Sequence, residues 1–165
     1  MKTCKSCMIY IEDRCGVKFI ADLINRIRRE LGINVTSEDR IKIQSTQGAG
    51  GITGKIEELI KTGKIRHECV IIIFDNDRGK KIGKNINIDK KSYVKKTIKE
   101  KGIGRNVFLI VFENAIEKDW IEKGMKQLPD NYEKYKLPEY AYKIDLNFLK
   151  EQDENFRNFI TIIDP

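Results

Sequence analysis

The chain is predicted to be α/β: a Rossmann-like three-layer fold with a mainly parallel, four-stranded central sheet and a C-terminal extension. Three observations predict it. Apolar runs that do not alternate (Met8-Ile9-Tyr10-Ile11, Val70-Ile71-Ile72-Ile73-Phe74 and Val107-Phe108-Leu109-Ile110-Val111-Phe112) read as strands buried on both faces. Stretches with helical apolar spacing separate them, and strand–helix alternation implies a parallel sheet. Each of these runs ends in acid: Glu12-Asp13, then Asp75-Asn76-Asp77, then Glu113. In a parallel sheet such ends share one edge, where open α/β folds bind their ligands.

The first strand leads into a helix over 16–31, with Val17, Phe19, Ile20, Leu23, Ile24, Ile27 and Leu31 on one face and Gly32 as its stop. Arg40 to Ser45 alternates, the pattern of a strand with one wetter face at a sheet edge. Next comes a glycine-rich stretch, Gln47 to Lys55, entering a helix over 53–62. A phosphate-binding P-loop needs Gly five positions before its Gly-Lys pair and Ser or Thr after it. Here those positions hold Ala49 and Ile56, so the P-loop is rejected. Gly50 and Gly51 remain as a turn before a helix, where backbone N–H groups can receive a phosphate.

After the third strand, 78–88 reads as a polar loop, Asp89 as the N-cap of a lysine-rich helix to about Lys101, and Gly102 as its end. The fourth strand is followed by a helix over 115–126. The tail is broken by Pro129 and Pro138. It is expected to hold a helix within 145–159 and a short strand or docking segment at Ile160 to Ile163. Its tyrosines (Tyr132, Tyr135, Tyr140, Tyr142) are expected to pack the extension onto the core rather than stack on bases. The organisation is then an α/β domain over 1–126 and an extension over 127–165.

At 165 residues the chain is long enough for a real core, with 40% hydrophobic and 35% charged residues. No apolar run approaches a membrane span, and the N-terminus lacks the apolar region of a signal peptide. The expectation is a cytoplasmic protein with no membrane partner. Four cysteines do not make a secreted disulfide framework. Cys69 reads as a free thiol acting as a small apolar residue. Cys4-x-x-Cys7 with Cys15 is half of a zinc pattern and lacks a second close pair.

The net charge is +7, and it is unevenly spread. From Arg78 to Arg105 eleven Lys or Arg face only Asp89 and Glu100, a segment charge of +9. From Glu113 to Glu154 the balance is −4. A basic block directly after Asp75-x-Asp77 points to a polyanion, nucleic acid being the commonest. The alternative is a solvated lysine-rich face. The two aspartates are hard oxygen donors two positions apart, suited to Mg2+ or Mn2+.

A glutamate ending the first strand and an Asp-x-Asp ending a later one resemble the Toprim domain of topoisomerases, bacterial-type primases, OLD-type nucleases and maturase-type ribosomal RNA nucleases. The matching segments are Met8 to Glu12 and Val70 to Asp77. Gly50-Gly51 resembles the loop that stand-alone and OLD-type members carry between these motifs. The stretch from Phe112-Glu113 to Trp120 is similar to an acidic-tryptophan segment of small Toprim-like proteins. The family carries Gly after its glutamate, where this chain has Asp13-Arg14-Cys15 before Gly16.

The resemblance implies Glu12 as general acid/base or metal ligand, and Asp75 and Asp77 as ligands of a magnesium ion. It further suggests Glu113 as partner of Glu12 on a second metal. Arg78, Lys80, Lys81 and Lys84 would neutralise nucleic-acid phosphates. The expected function is therefore a small, metal-dependent nuclease or phosphoryl-transfer domain acting on RNA or DNA phosphodiesters, compatible with a protein partner or a homodimer. Two alternatives remain open. One is a Toprim-like module that binds nucleic acid or protein without turnover. The other is a glycosyltransferase holding a nucleotide-sugar on Asp-x-Asp, for which the basic block would have no role.

Overall fold

The computed structural model describes residues 3–33, 40–47, 49–76 and 88–164. Its strands are β1 (Cys7–Ile11), β2 (Ile41–Ser45), β3 (Cys69–Asp75) and β4 (Val107–Phe112). All pair in parallel, in the order β2-β1-β3-β4. Parallel neighbours require crossovers, supplied by α1 (Arg14–Glu30), α2 (Ala49–Lys64) and α3 (Lys90–Glu100). α1 leads from β1 to β2 on one side, and α2 carries the chain back past β1 to β3 on the other. That reversal makes the gap between the carboxyl ends of β1 and β3 the topological switch point.

The strands are buried on both faces, as their unbroken apolar runs require. Ile9, Ile11, Ile71, Ile73, Ile110 and Phe112 pack with Phe19, Ile20, Leu23 and Ile27 of α1. Met8, Tyr10, Val70, Ile72, Phe74 and Val111 pack with Ile52, Ile56 and Ile60 of α2 and Val94 of α3. β2 lies at the sheet edge, with Ile41 and Ile43 half-buried and Lys42 and Gln44 exposed. Asp13 caps α1, accepting the Gly16 N–H at 2.8 Å. Gly16 itself is held close to the end of β1: a Cβ there would lie 2.5 Å from Ile11 Cδ1.

Two helical boundaries differ from expectation. α2 begins at Ala49, so Gly50 and Gly51 lie inside its first turns rather than in a loop ahead of it. A Cβ on Gly51 would sit 2.2 Å from the Thr46 carbonyl, so glycine here permits backbone contact with the end of β2. Lys55, with φ −128°, kinks α2 near the expected start. After β4 the chain forms a π-helical turn (Glu117–Glu122) that runs into the short α4 (Lys123–Met125), not a regular helix. Trp120 in that turn is fully buried, edge-on to Phe112 at 4.9 Å and to Phe156 at 5.3 Å.

A 3₁₀ turn (Lys134–Lys136), α5 (Leu137–Tyr140), α6 (Leu146–Gln152) and α7 (Glu154–Ile163) complete the chain. Ile160 to Ile163 is the end of α7, not a strand. Phe156, Phe159, Ile160 and Ile163 recur at helical spacing and enter the α1-side core. Asp153 anchors this region: it accepts Phe156 N–H at 2.8 Å and Trp120 Nε1–H at 3.2 Å, and pairs with Lys123 Nζ at 2.8 Å. Asp153→Ala is expected to lose about 2 kcal/mol of unfolding free energy in urea, because it removes a helix cap and orphans a buried indole N–H. A loss under about 0.5 kcal/mol would show that these bonds do not hold the extension.

The structure corrects the reading of Cys69 as a free thiol. It is bonded to Cys4, 65 residues away. Cys4 is thus unavailable to zinc. Among the described residues no group of three His, Cys, Asp or Glu side chains is placed to hold a metal ion, and no helix is long and apolar enough to cross a membrane.

Candidate functional site

Sheet register brings the acids to one edge. Ile11 pairs with Ile73 and Asp75 with Phe112, so Glu12, Asp75 and Glu113 leave three adjacent strands at nearly one level. Strand pleat then divides them between faces.

Glu12 turns to the α3 side and forms an ion pair with Lys90. Lys90 is the first residue of α3 and only 2% exposed. Its ammonium stands 5.4 Å from the centre of the Phe74 ring. Burial pushes its pKa down from 10.5 to about 8. Asp89 sets its position by capping α3, accepting the Ser92 N–H at 2.7 Å.

Asn76, between the two aspartates, joins three elements. It is 1% exposed. Its N–H donates to the Phe112 carbonyl at 2.9 Å. Its Nδ2 donates to Glu113 Oε2 at 3.0 Å, and its Oδ1 accepts the Lys91 N–H at 2.9 Å. Lys91 Nζ completes the ring on Glu113 Oε1 at 3.1 Å. Asn76 therefore ties the end of β3 to the end of β4 and to the first turn of α3.

On the α1 side a cavity of about 20 Å³ opens between the strand ends. That is room for about one water molecule. Its walls include Glu12, Asp13, Asp75, Glu117 and Lys134. Lys134 pairs with Asp13 at 3.2 Å, and the Tyr132 hydroxyl donates to Glu117 at 2.9 Å. Partial burial works against the charge on Lys134, but Asp13, with Glu117 and Asp75, outweighs it and raises the pKa above 10.5.

Of the residues expected from sequence, Glu12 and Asp75 share this cavity, and Glu113 is not among its walls. The expected pairing of Glu113 with Glu12 on one ion is not assembled here, because Asn76 and Lys91 hold Glu113. Asp77, Arg78, Lys80, Lys81 and Lys84 lie outside the described residues. Gly50 and Gly51 belong to α2, and the tight contact of Gly51 is with Thr46 rather than with space for a phosphate. In chemistry the carboxylates fit a hard cation such as Mg2+ or Mn2+. Their positive charge is supplied by Lys90, Lys91 and Lys134. Sequence reading missed Asn76, Lys90 and Lys134. The available signals were an Asn inside Asp-x-Asp and a lysine directly after the Asp89 cap; nothing local marks Lys134. No protein-family model, curated protein or solved structure matches the chain.

Proposed function

We propose that this chain is a Toprim-like, metal-dependent phosphodiesterase acting on nucleic acid. The observation that carries the reading is the placement of Glu12 and Asp75 on either side of the switch point, at the carboxyl ends of adjacent parallel strands. Asp75 and Asp77 are the residues that would hold Mg2+ or Mn2+, while Glu12, turned to the α3 side beside Lys90, would act as the acid/base. The ion, when bound, polarises the phosphate and stabilises the leaving oxygen. Glu12 exchanges the proton of the attacking or leaving group, with Lys90 balancing its charge. Lys95, Lys96 and Lys99 on the exposed side of α3 supply positive charge to the substrate backbone. The protein acts in the cytoplasm on this reading, and full burial of Cys4 and Cys69 shields their bond from the reducing pool.

The test is cleavage of end-labelled RNA and DNA in Mg2+, in Mn2+ and in EDTA. Glu12→Gln and Asp75→Asn are each expected to lower the metal-dependent rate about 100-fold or more. Undiminished cleavage by Asp75→Asn, or in EDTA, defeats the reading. One observation favours a second reading, a binding module without turnover: two of the acids lining the cavity of about 20 Å³, Glu12 and Asp13, are already paired with Lys90 and Lys134. That module predicts nucleic-acid binding unchanged in EDTA and no cleavage in any metal.

A further inference from the structure

Resting on the nucleic-acid reading but on no metal, we propose that the groove between α2 and α3 holds the unpaired bases of a single-stranded RNA or DNA. The protein then takes single strands in preference to duplexes.

The groove encloses a cavity of about 540 Å³, inside the range of roughly 300–1,000 Å³ that small organic ligands occupy. The crossovers set its position. α2 and α3 both start at the carboxyl edge and pack side by side on one face of the sheet. Tyr93 lines the groove from the first turn of α3, one helical turn past Lys90, the partner of Glu12. A strand lying in the groove therefore runs toward the side of the sheet to which Glu12 turns. The opposite side offers only the cavity of about 20 Å³, which has no room for a base.

The lining suits bases more than phosphates. α2 presents Gly54, Lys55, Glu58 and Thr62 on one face, and α3 presents Tyr93 and Thr97. Gly54 leaves the wall open, because a Cβ there would meet nothing within 4 Å. Tyr93 is half-buried, so its ring is held in place against the core while still lining the groove. A fixed aromatic ring is a stacking platform for any base. The threonine hydroxyls and the Glu58 carboxylate match the donors and acceptors of base edges. Glu57, which also lines the groove, is already paired with Lys61 at 2.7 Å and Lys101 at 3.4 Å. The exposed Lys55 and the α3 row of Lys95, Lys96 and Lys99 leave cations beside the groove for the phosphates. A duplex keeps its bases stacked on one another and has none to place against Tyr93.

The experiment is fluorescence anisotropy of labelled 12-nucleotide RNA and DNA, single-stranded and duplex, with the full chain. It is run in EDTA, and in Ca2+ so that a complex requiring metal also registers. Single strands are expected to bind at least tenfold more tightly than duplexes. Tyr93→Leu should weaken single-strand binding about tenfold, the value of one stacked base, whereas Tyr93→Phe keeps the ring and should bind as wild type. Lys55→Gln should lower the salt dependence of binding by about one ion, and Lys150→Gln, exposed on the α1 side, should leave it unchanged. Equal affinity for single strands and duplexes overturns the groove and leaves the nucleic-acid reading standing. So does wild-type affinity in Tyr93→Leu, or an equal loss in Tyr93→Leu and Tyr93→Phe. So does an equal change of salt dependence in Lys55→Gln and Lys150→Gln. Absence of binding to every oligonucleotide overturns the groove and the nucleic-acid reading together.

Discussion

Reducing the Cys4–Cys69 disulfide, or removing it in Cys4→Ser, is expected to destabilise the protein by about 4 kcal/mol, the chain-entropy value for a loop of this size. The bond closes a loop of 65 residues that contains β1, α1, β2 and α2. It is the covalent part of a larger seam. Cys4 N–H donates to the Ile162 carbonyl at 3.0 Å and Cys69 N–H to the Ser6 carbonyl at 3.1 Å. Glu68 N–H donates to Ser6 Oγ at 2.8 Å. The N-terminal segment thus joins the start of β3 to the end of α7. Urea unfolding with and without reductant measures the effect, and thermal unfolding should fall by about 10 °C. Cys7 faces Cys69 across β1 and β3. Burial, and secondarily Glu68, pushes its thiol up to about 12, so almost no thiolate is present. Cys7→Ser should therefore leave the reductant effect unchanged. A reductant effect below about 1 kcal/mol would mean that the denatured chain already holds these segments together.

Lys90→Met is expected to cost about 3 kcal/mol, because it leaves the Glu12 carboxylate in the interior without its cation. The two side chains are only 3% and 14% exposed, so water cannot replace the missing partner cheaply. The double variant Glu12→Leu/Lys90→Met should return to within about 1 kcal/mol of wild type, since an apolar pair of similar volume avoids desolvating two charges. The contrast between single and double variants isolates the buried pair from any packing change. A single-variant cost under about 1 kcal/mol would show that Glu12 is solvated. The pH dependence has a definite sign. Folded Lys90 titrates near 8 instead of 10.5. Between those values the unfolded chain binds more protons, so stability from this group rises with pH. Below about pH 8 the full cost of burying the ammonium is present.

The strands were legible in the sequence because a strand buried on both faces is apolar at every position, and that pattern is local. The same holds for α3, whose cap Asp89 stands one residue ahead of it, and for the apolar face of α1, although α1 starts at Arg14 behind an Asp13 cap rather than at Gly16. The acids at the strand ends could be read for the same reason, since a strand ends where its apolar run ends. Misreadings fell where a local pattern competes with a distant partner. Ile160 to Ile163 has β-forming residues, yet it is helical because Phe156 and Phe159 extend its apolar face into the core. Gly50-Gly51 looks like a loop, yet Gly51 opens a helix that must pass close to Thr46.

The amino-acid sequence by itself determined an α/β chain with buried strands, acidic strand ends and a basic segment after Asp75. Tertiary structure alone decided that β1 lies beside β3, which creates the switch point between Glu12 and Asp75. It also decided which lysine meets which acid, and that Cys4 meets Cys69. The physical reason is range: backbone pattern and capping act over a few residues, whereas strand order, ion pairing and disulfide closure join groups tens of residues apart and depend on how the whole core is packed.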